Sequence, residues 1–96
     1  MLSRIPIILL ESMGKGDPLK EILRAGIIAE LDAINLYEQM AAMTQDDEIQ
    51  KVLLDIAKEE KTHVGEFLTL LIRKDGEQGK ELEKGKTEIE ELLVGP

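Results

Sequence analysis

Two long stretches of this chain carry apolar residues at steps of three and four, the period of an α-helix with one buried face. In the first, Leu23, Ile27, Ile34, Tyr37 and Ala41 form the stripe, and the position that completes its register is Glu30. In the second the stripe reads Ile49, Leu53, Ile56, Glu60, His63, Phe67 and Leu70, so two of its seven positions are polar. Asp17-Pro18 marks the first helix start, an acid able to accept from free amide groups followed by a residue whose fixed φ suits the first turn. That helix is predicted to run to about Met43. Thr44-Gln45-Asp46-Asp47 resembles a capping box with Thr44 as the cap, and predicts a second helix from there to near Lys74, before Gly76. The short connection makes the pair an antiparallel hairpin.

Beyond Lys74 the apolar pattern lapses. Asp75 to Gly85 is rich in Glu, Lys and Gly and reads as an exposed, partly helical linker, and Thr87-Glu88-Ile89-Glu90 repeats the capping pattern before a short last helix with Leu92, Leu93 and Val94. At the other end, Met1 to Leu10 is apolar but far below the roughly 20 residues that span a bilayer. With one basic residue and no small-residue cleavage site it also reads poorly as a signal peptide. It is expected to pack as an arm on this or a neighbouring chain. The predicted layout is one all-α domain over 1–96: an N-terminal arm (1–17), a helical hairpin (18–74), and a linker with a short C-terminal helix (75–96).

The polar residues on the two stripes carry the chemistry. Glu60 and His63, three apart, share a helix face, and carboxylate oxygen and imidazole nitrogen are both ordinary metal ligands. If the turn centres near Gln45, Glu30 and Glu60 each lie fifteen residues from it, about 22 Å along their helices at ~1.5 Å per residue, and so face each other at one level. His63 falls one turn further on, opposite Ile27, with Gly26 and Gly65 beside it. A carboxylate on a buried stripe costs several kcal/mol unless it has a partner, a proton or a metal.

Composition narrows the partners. The net charge is -8 with the acids spread along the chain, which argues against nucleic acid and anionic membranes, since both require clustered cations. Without a cysteine there is no disulfide, thiolate zinc site or iron–sulfur cluster, so a metal would be held by oxygen and imidazole. The expected location is cytoplasmic. A two-helix chain of 96 residues also buries too little surface on its own, so association is expected.

One Glu from the first helix and one Glu-x-x-His from the second make half the ligand set of ferritin-like di-iron bundles. A symmetric dimer of hairpins would supply all four helices and bring Glu30, Glu60 and His63 together with their mates. Ile28, Leu31, Leu36, Met40, Met43, Leu54, Leu68 and Ile72 lie well off the main stripes, which implies a second interface and a higher assembly, a ring.

Ala29-Glu30-Leu31-Asp32-Ala33-Ile34-Asn35-Leu36-Tyr37 together with Glu59-Glu60-Lys61-Thr62-His63 resembles the encapsulated ferritin family, over roughly Leu19 to Lys74. The resemblance implies a two-helix protomer, a four-helix bundle completed by dimerisation, a decameric ring, and a ferroxidase working inside an encapsulin shell as free cargo or fused to the shell protein. It implies Glu30, Glu60 and His63 as iron ligands and as the catalytic set, with two irons per dimer interface, Glu60 bridging, and His63 and Glu30 capping. It places Tyr37 close behind the ligands. Family members carry acids on both sides of the first ligand where metal is taken up; Asp32 is the candidate for that role here and the other position is Ala29. A tryptophan found before the tyrosine in some members is Leu36. The implied reaction is oxidation of Fe(II) to Fe(III) by oxygen or peroxide.

Each residue has a plainer reading. A lone histidine on a helix stripe is more often a hydrogen-bonded core residue, and a lone glutamate more often pairs with a base. The metal reading gains because three such residues converge at one height with no base on either stripe near them. Glu59 and Glu66 flank the stripe and are read as peripheral, Tyr37 otherwise as a packing residue, and the methionines as core filler. The competing class is a non-enzymatic helical oligomerisation module, with calcium or zinc held structurally or a buried acid network. A rubrerythrin-like peroxidase is disfavoured because no cysteine-rich iron module is present.

Overall fold

The computed structural model describes residues 17–95 as three helices, with no strand among them: α1 Pro18–Met43, α2 Asp47–Lys74 and α3 Gly76–Val94. The expected arm at Met1–Leu10, the Ser12–Gly16 loop and Pro96 lie outside the described residues.

The helix limits follow from local chemistry. Asp17 Oδ1 accepts from the amides of Leu19 at 3.1 Å and Lys20 at 3.5 Å, covering two donors that have no partner inside the first turn. α1 stops at Met43, where Thr44 turns to an extended backbone. The second start departs from expectation. The cap is Asp46, whose Oδ1 accepts from the Ile49 amide at 2.9 Å, and Thr44 instead accepts from the Asp46 amide at 3.1 Å. Thr44 orders the turn, and the stronger charged acceptor two residues later takes the cap. Gln50 Nε2 donates to the Ala41 carbonyl at 3.0 Å and clips the second helix to the end of the first.

Residues 76–86 are helical throughout rather than a partly helical linker, with Asp75 as the cap. Asp75 Oδ1 accepts from the Gln78 amide at 3.2 Å while the Asp75 amide donates to the Leu71 carbonyl at 2.8 Å, so α2 ends and α3 begins on one residue. The Glu and Lys of this stretch are good helix formers, which offsets Gly79 and Gly85. Gly79 also has a packing reason: a Cβ there would stand 2.9 Å from Ile72 Cγ2, so its absence lets α3 settle on α2. Asp75 Oδ2 receives Arg24 at 3.1 Å, tying the joint back to α1. Gly95, with φ of 83°, closes the helix, its amide donating to the Glu91 carbonyl.

Burial is concentrated in the hairpin. Among the described residues the buried apolar ones are Ala25, Ala41, Ala57 and Leu71. Three of the four are alanine, so α1 and α2 approach closely but enclose little. The expected stripes are correspondingly only half-buried at Leu23, Ile27, Ile34, Tyr37, Leu53, Ile56 and Phe67, and Ile49 and Leu70 are exposed. Two helices can bury only the strip directly between their axes; small residues take that strip and the larger ones lie beside it. The radius of gyration is 16.9 Å where about 12 Å is usual for a closed globule of this length. The chain measures 47 × 47 × 18 Å, a flat shape in which α3 leaves the hairpin sideways.

Candidate metal centre

The two helices bring Glu30, Glu60 and His63 to one point. His63 Nδ1 lies 3.5 Å from Glu30 Oε2 and 3.5 Å from Glu60 Oε2, and one ligating atom from each residue fits within 4.8 Å of the others. Glu60 and His63 are neighbours because they are three apart on α2. Glu30 reaches them only because the short connection sets the levels of the two helices.

The electrostatics are unbalanced. Both glutamate side chains are 19% exposed, and Glu30 Oε2 is buried without a hydrogen-bond partner; the 3.5 Å contact to His63 lacks hydrogen-bond geometry. An ionised carboxylate oxygen in that position costs about 1–3 kcal/mol or more when left unmet. The cation adjacent in sequence does not meet it, since Lys61 pairs with Glu38 at 2.9 Å. Arg24 is likewise engaged, with Asp75. Two acids and an imidazole converge with no Lys or Arg of the described residues paired to them, and the donor chemistry fits a transition metal that accepts both oxygen and nitrogen. Calcium, which takes six to eight oxygens, fits the imidazole poorly.

The set opens on a groove along α2 lined by Glu30, His63, Gly65, Glu66, Phe67 and Arg73, among others. Glu66 and Arg73 were not singled out from the sequence as part of the site. Their signal was the helical step from His63, three and ten residues on, which keeps them on the groove side of α2. Tyr37 is half-buried, two turns along α1 from Glu30, and does not line this groove; Asp32 is half-buried and outside the three-residue cluster. Glu59 is exposed and also outside it. The two glycines read as a matched pair separate: a Cβ on Gly26 would meet the Phe67 ring at 3.0 Å, whereas one on Gly65 would meet nothing within 4 Å.

Comparison with known proteins adds an independent line. The EncFtn-like family profile matches residues 16–87. The chain is 59% identical over 76 residues to a ferritin-like–encapsulin shell fusion protein of Pyrococcus furiosus, covering 79% of this chain and 22% of that one. It is 39% identical over 56 residues to an encapsulin nanocompartment cargo protein of Myxococcus xanthus, covering 58% of this chain and 43% of that one. Thus the chain spans about a fifth and less than half of these two relatives. The crystal structure of the encapsulated ferritin domain from Pyrococcus furiosus superposes with a TM-score of 0.77 at 50% identity, over 96% of this chain and 95% of that one. No described helix is long and apolar enough to cross a membrane.

Proposed function

The chain belongs to the EncFtn-like family of encapsulated ferritins, and on that premise we propose that it is a ferroxidase whose substrate iron is held by Glu30, Glu60 and His63. The observation that carries the reading is the buried Glu30 oxygen facing a carboxylate and an imidazole, with no Lys or Arg of the described residues paired to it.

Each residue has a distinct task. Glu30 and Glu60 supply anionic oxygens, whose attraction for a trivalent ion exceeds that for a divalent one and so favours the oxidised product. His63 supplies a neutral nitrogen, which adds a ligand without adding charge. Iron held there gives up one electron as Fe(II) becomes Fe(III), with oxygen or peroxide as the acceptor.

Three ligands from one chain make half of a di-iron set, so a second copy of the chain is proposed to complete it, as a four-helix bundle and within a decameric ring. The exposed apolar residues Ile28, Leu31, Leu54 and Leu70 support association. An encapsulin shell is proposed as the enclosing compartment. The support is that one relative is a fusion to such a shell and the other a cargo of one. The proposed reading assigns the whole assembly to iron storage or detoxification.

The test is anaerobic addition of Fe(II) followed by air. Oxidation faster than the buffer background, inhibited by zinc at the same residues, is the expected result. Metal binding with no oxidation above background would make the site structural.

A further inference from the structure

One turn from the Glu30–His63 contact, the hairpin contains a pair of residues fitted to each other in size. Gly26 precedes Glu30 by four residues on α1, and Phe67 follows His63 by four on α2, so each lies on the same face as its neighbour in the triad. Their contact is close. A Cβ built on Gly26 would lie 3.0 Å from both Cε1 and Cζ of Phe67 and 3.1 Å from Cδ1, tighter than side chains ordinarily pack. The ring occupies the space that any other residue at 26 would need. Phe67 also lines the groove that holds Glu30 and His63, so the same ring walls the site on that side.

The fit has a consequence for the ligands. α1 and α2 meet along a narrow strip of mostly small buried residues, and one turn from the triad the Phe67 ring of α2 packs directly against Gly26 of α1. We infer that Gly26 and Phe67 are positioning residues for the metal centre: their size-matched contact fixes the approach of the two helices, and with it the closeness of Glu30 to Glu60 and His63. Alanine at 26 forces the ring or the helices to give by a few tenths of an ångström. The three ligating atoms move apart by a similar amount. Displaced support around metal ligands costs about tenfold to a hundredfold in affinity.

Helix propensity points the opposite way, since alanine is the better helix former. A change that improves the local helix while weakening metal binding therefore separates position from folding. The inference rests on the ferroxidase reading for the identity of the metal, and its test uses Co(II), whose binding is read by visible absorption without any turnover. Wild type, Gly26→Ala and Gly26→Ala/Phe67→Leu are titrated with Co(II), with helicity checked by circular dichroism and association by sedimentation. The expected result is about tenfold weaker binding in Gly26→Ala and recovery in the double variant, where the smaller, flexible leucine yields to the new methyl group. Unchanged affinity in Gly26→Ala overturns the inference, as does a double variant no better than the single one. A Gly26→Ala chain that fails to fold and is not rescued also overturns it, because the glycine would then serve folding and not position. If wild type itself binds no Co(II) and no Fe(II), the functional reading fails first.

Discussion

Glu30 Oε2 and His63 Nδ1 stand 3.5 Å apart although they belong to different helices and are separated by more than thirty residues of chain. The buried oxygen of that contact accepts no hydrogen bond. Groups placed this way lower the stability of the metal-free chain and raise its affinity for a cation.

This trade can be measured directly. Glu30→Met removes the unmet carboxylate and keeps a side chain of similar length. In the presence of a chelator the variant is expected to be more stable by about 1 kcal/mol, seen as a higher thermal midpoint. Isothermal titration should show its metal affinity reduced by more than about a hundredfold, beyond the usual effect of losing a supporting residue. A less stable metal-free variant would contradict the unmet-carboxylate account.

Loss of either proposed α2 ligand should give a different pattern. His63→Ala and Glu60→Ala are expected to abolish tight iron binding while leaving helicity intact, since neither side chain belongs to the buried strip. Iron stoichiometry after desalting is the measurement. A variant that retains the wild-type stoichiometry is excluded as the loss of an essential ligand.

The proposed completion of the site by a second copy would tie iron chemistry to association. Sedimentation across a dilution series should show ferroxidase activity disappearing with the associated species, and the thermal midpoint should rise with protein concentration. An active, iron-loaded monomer is incompatible with a shared site.

The two helix joints allow separate tests. Asp46→Ala should cost about 1 kcal/mol of hairpin stability in urea, and Thr44→Ala clearly less, because only Asp46 accepts from an amide inside the first turn of α2. Asp75→Ala should act mainly on α3, since the other contact it removes is the ion pair to the half-exposed Arg24 of α1. Amide exchange across Gly76–Val94 is expected to quicken by about fivefold, the equivalent of a ~1 kcal/mol cap, while α1 stays protected.

Much of the fold was legible because the relevant signals were local. Asp17-Pro18 marked the start of α1, the lapse of periodicity after Lys74 marked the end of α2, and equal residue counts from the turn placed Glu30 level with Glu60. What escaped notice depended on neighbours in space. Asp46 rather than Thr44 caps α2 because Thr44 is taken up by the Asp46 amide in the turn, which leaves the Asp46 carboxylate to accept from Ile49 in the first turn of the helix. The 75–86 stretch has a single strong apolar residue, Leu82, so no stripe announced a helix that rests on Asp75 and on the contact of Gly79 with Ile72. Gly26 and Gly65 look equivalent in sequence, and only the Phe67 ring distinguishes them. Nor could periodicity tell an apolar face turned to the sister helix from one turned outward, as at Ile49 and Leu70.

An interior that, among the described residues, consists of three alanines and one leucine changes which positions are safe to alter. In a closed globule, a polar residue at a half-exposed site is usually close to neutral. Here most of the chain's apolar bulk sits at such sites, including Leu31, Ile28 and Leu54. Under the proposed association the ordinary map of mutational tolerance would be inverted: exposure would mark where the cohesion of the assembly is to be found. The small residues between α1 and α2 record the hairpin's history as a fold, and the large ones outside it record the company it keeps.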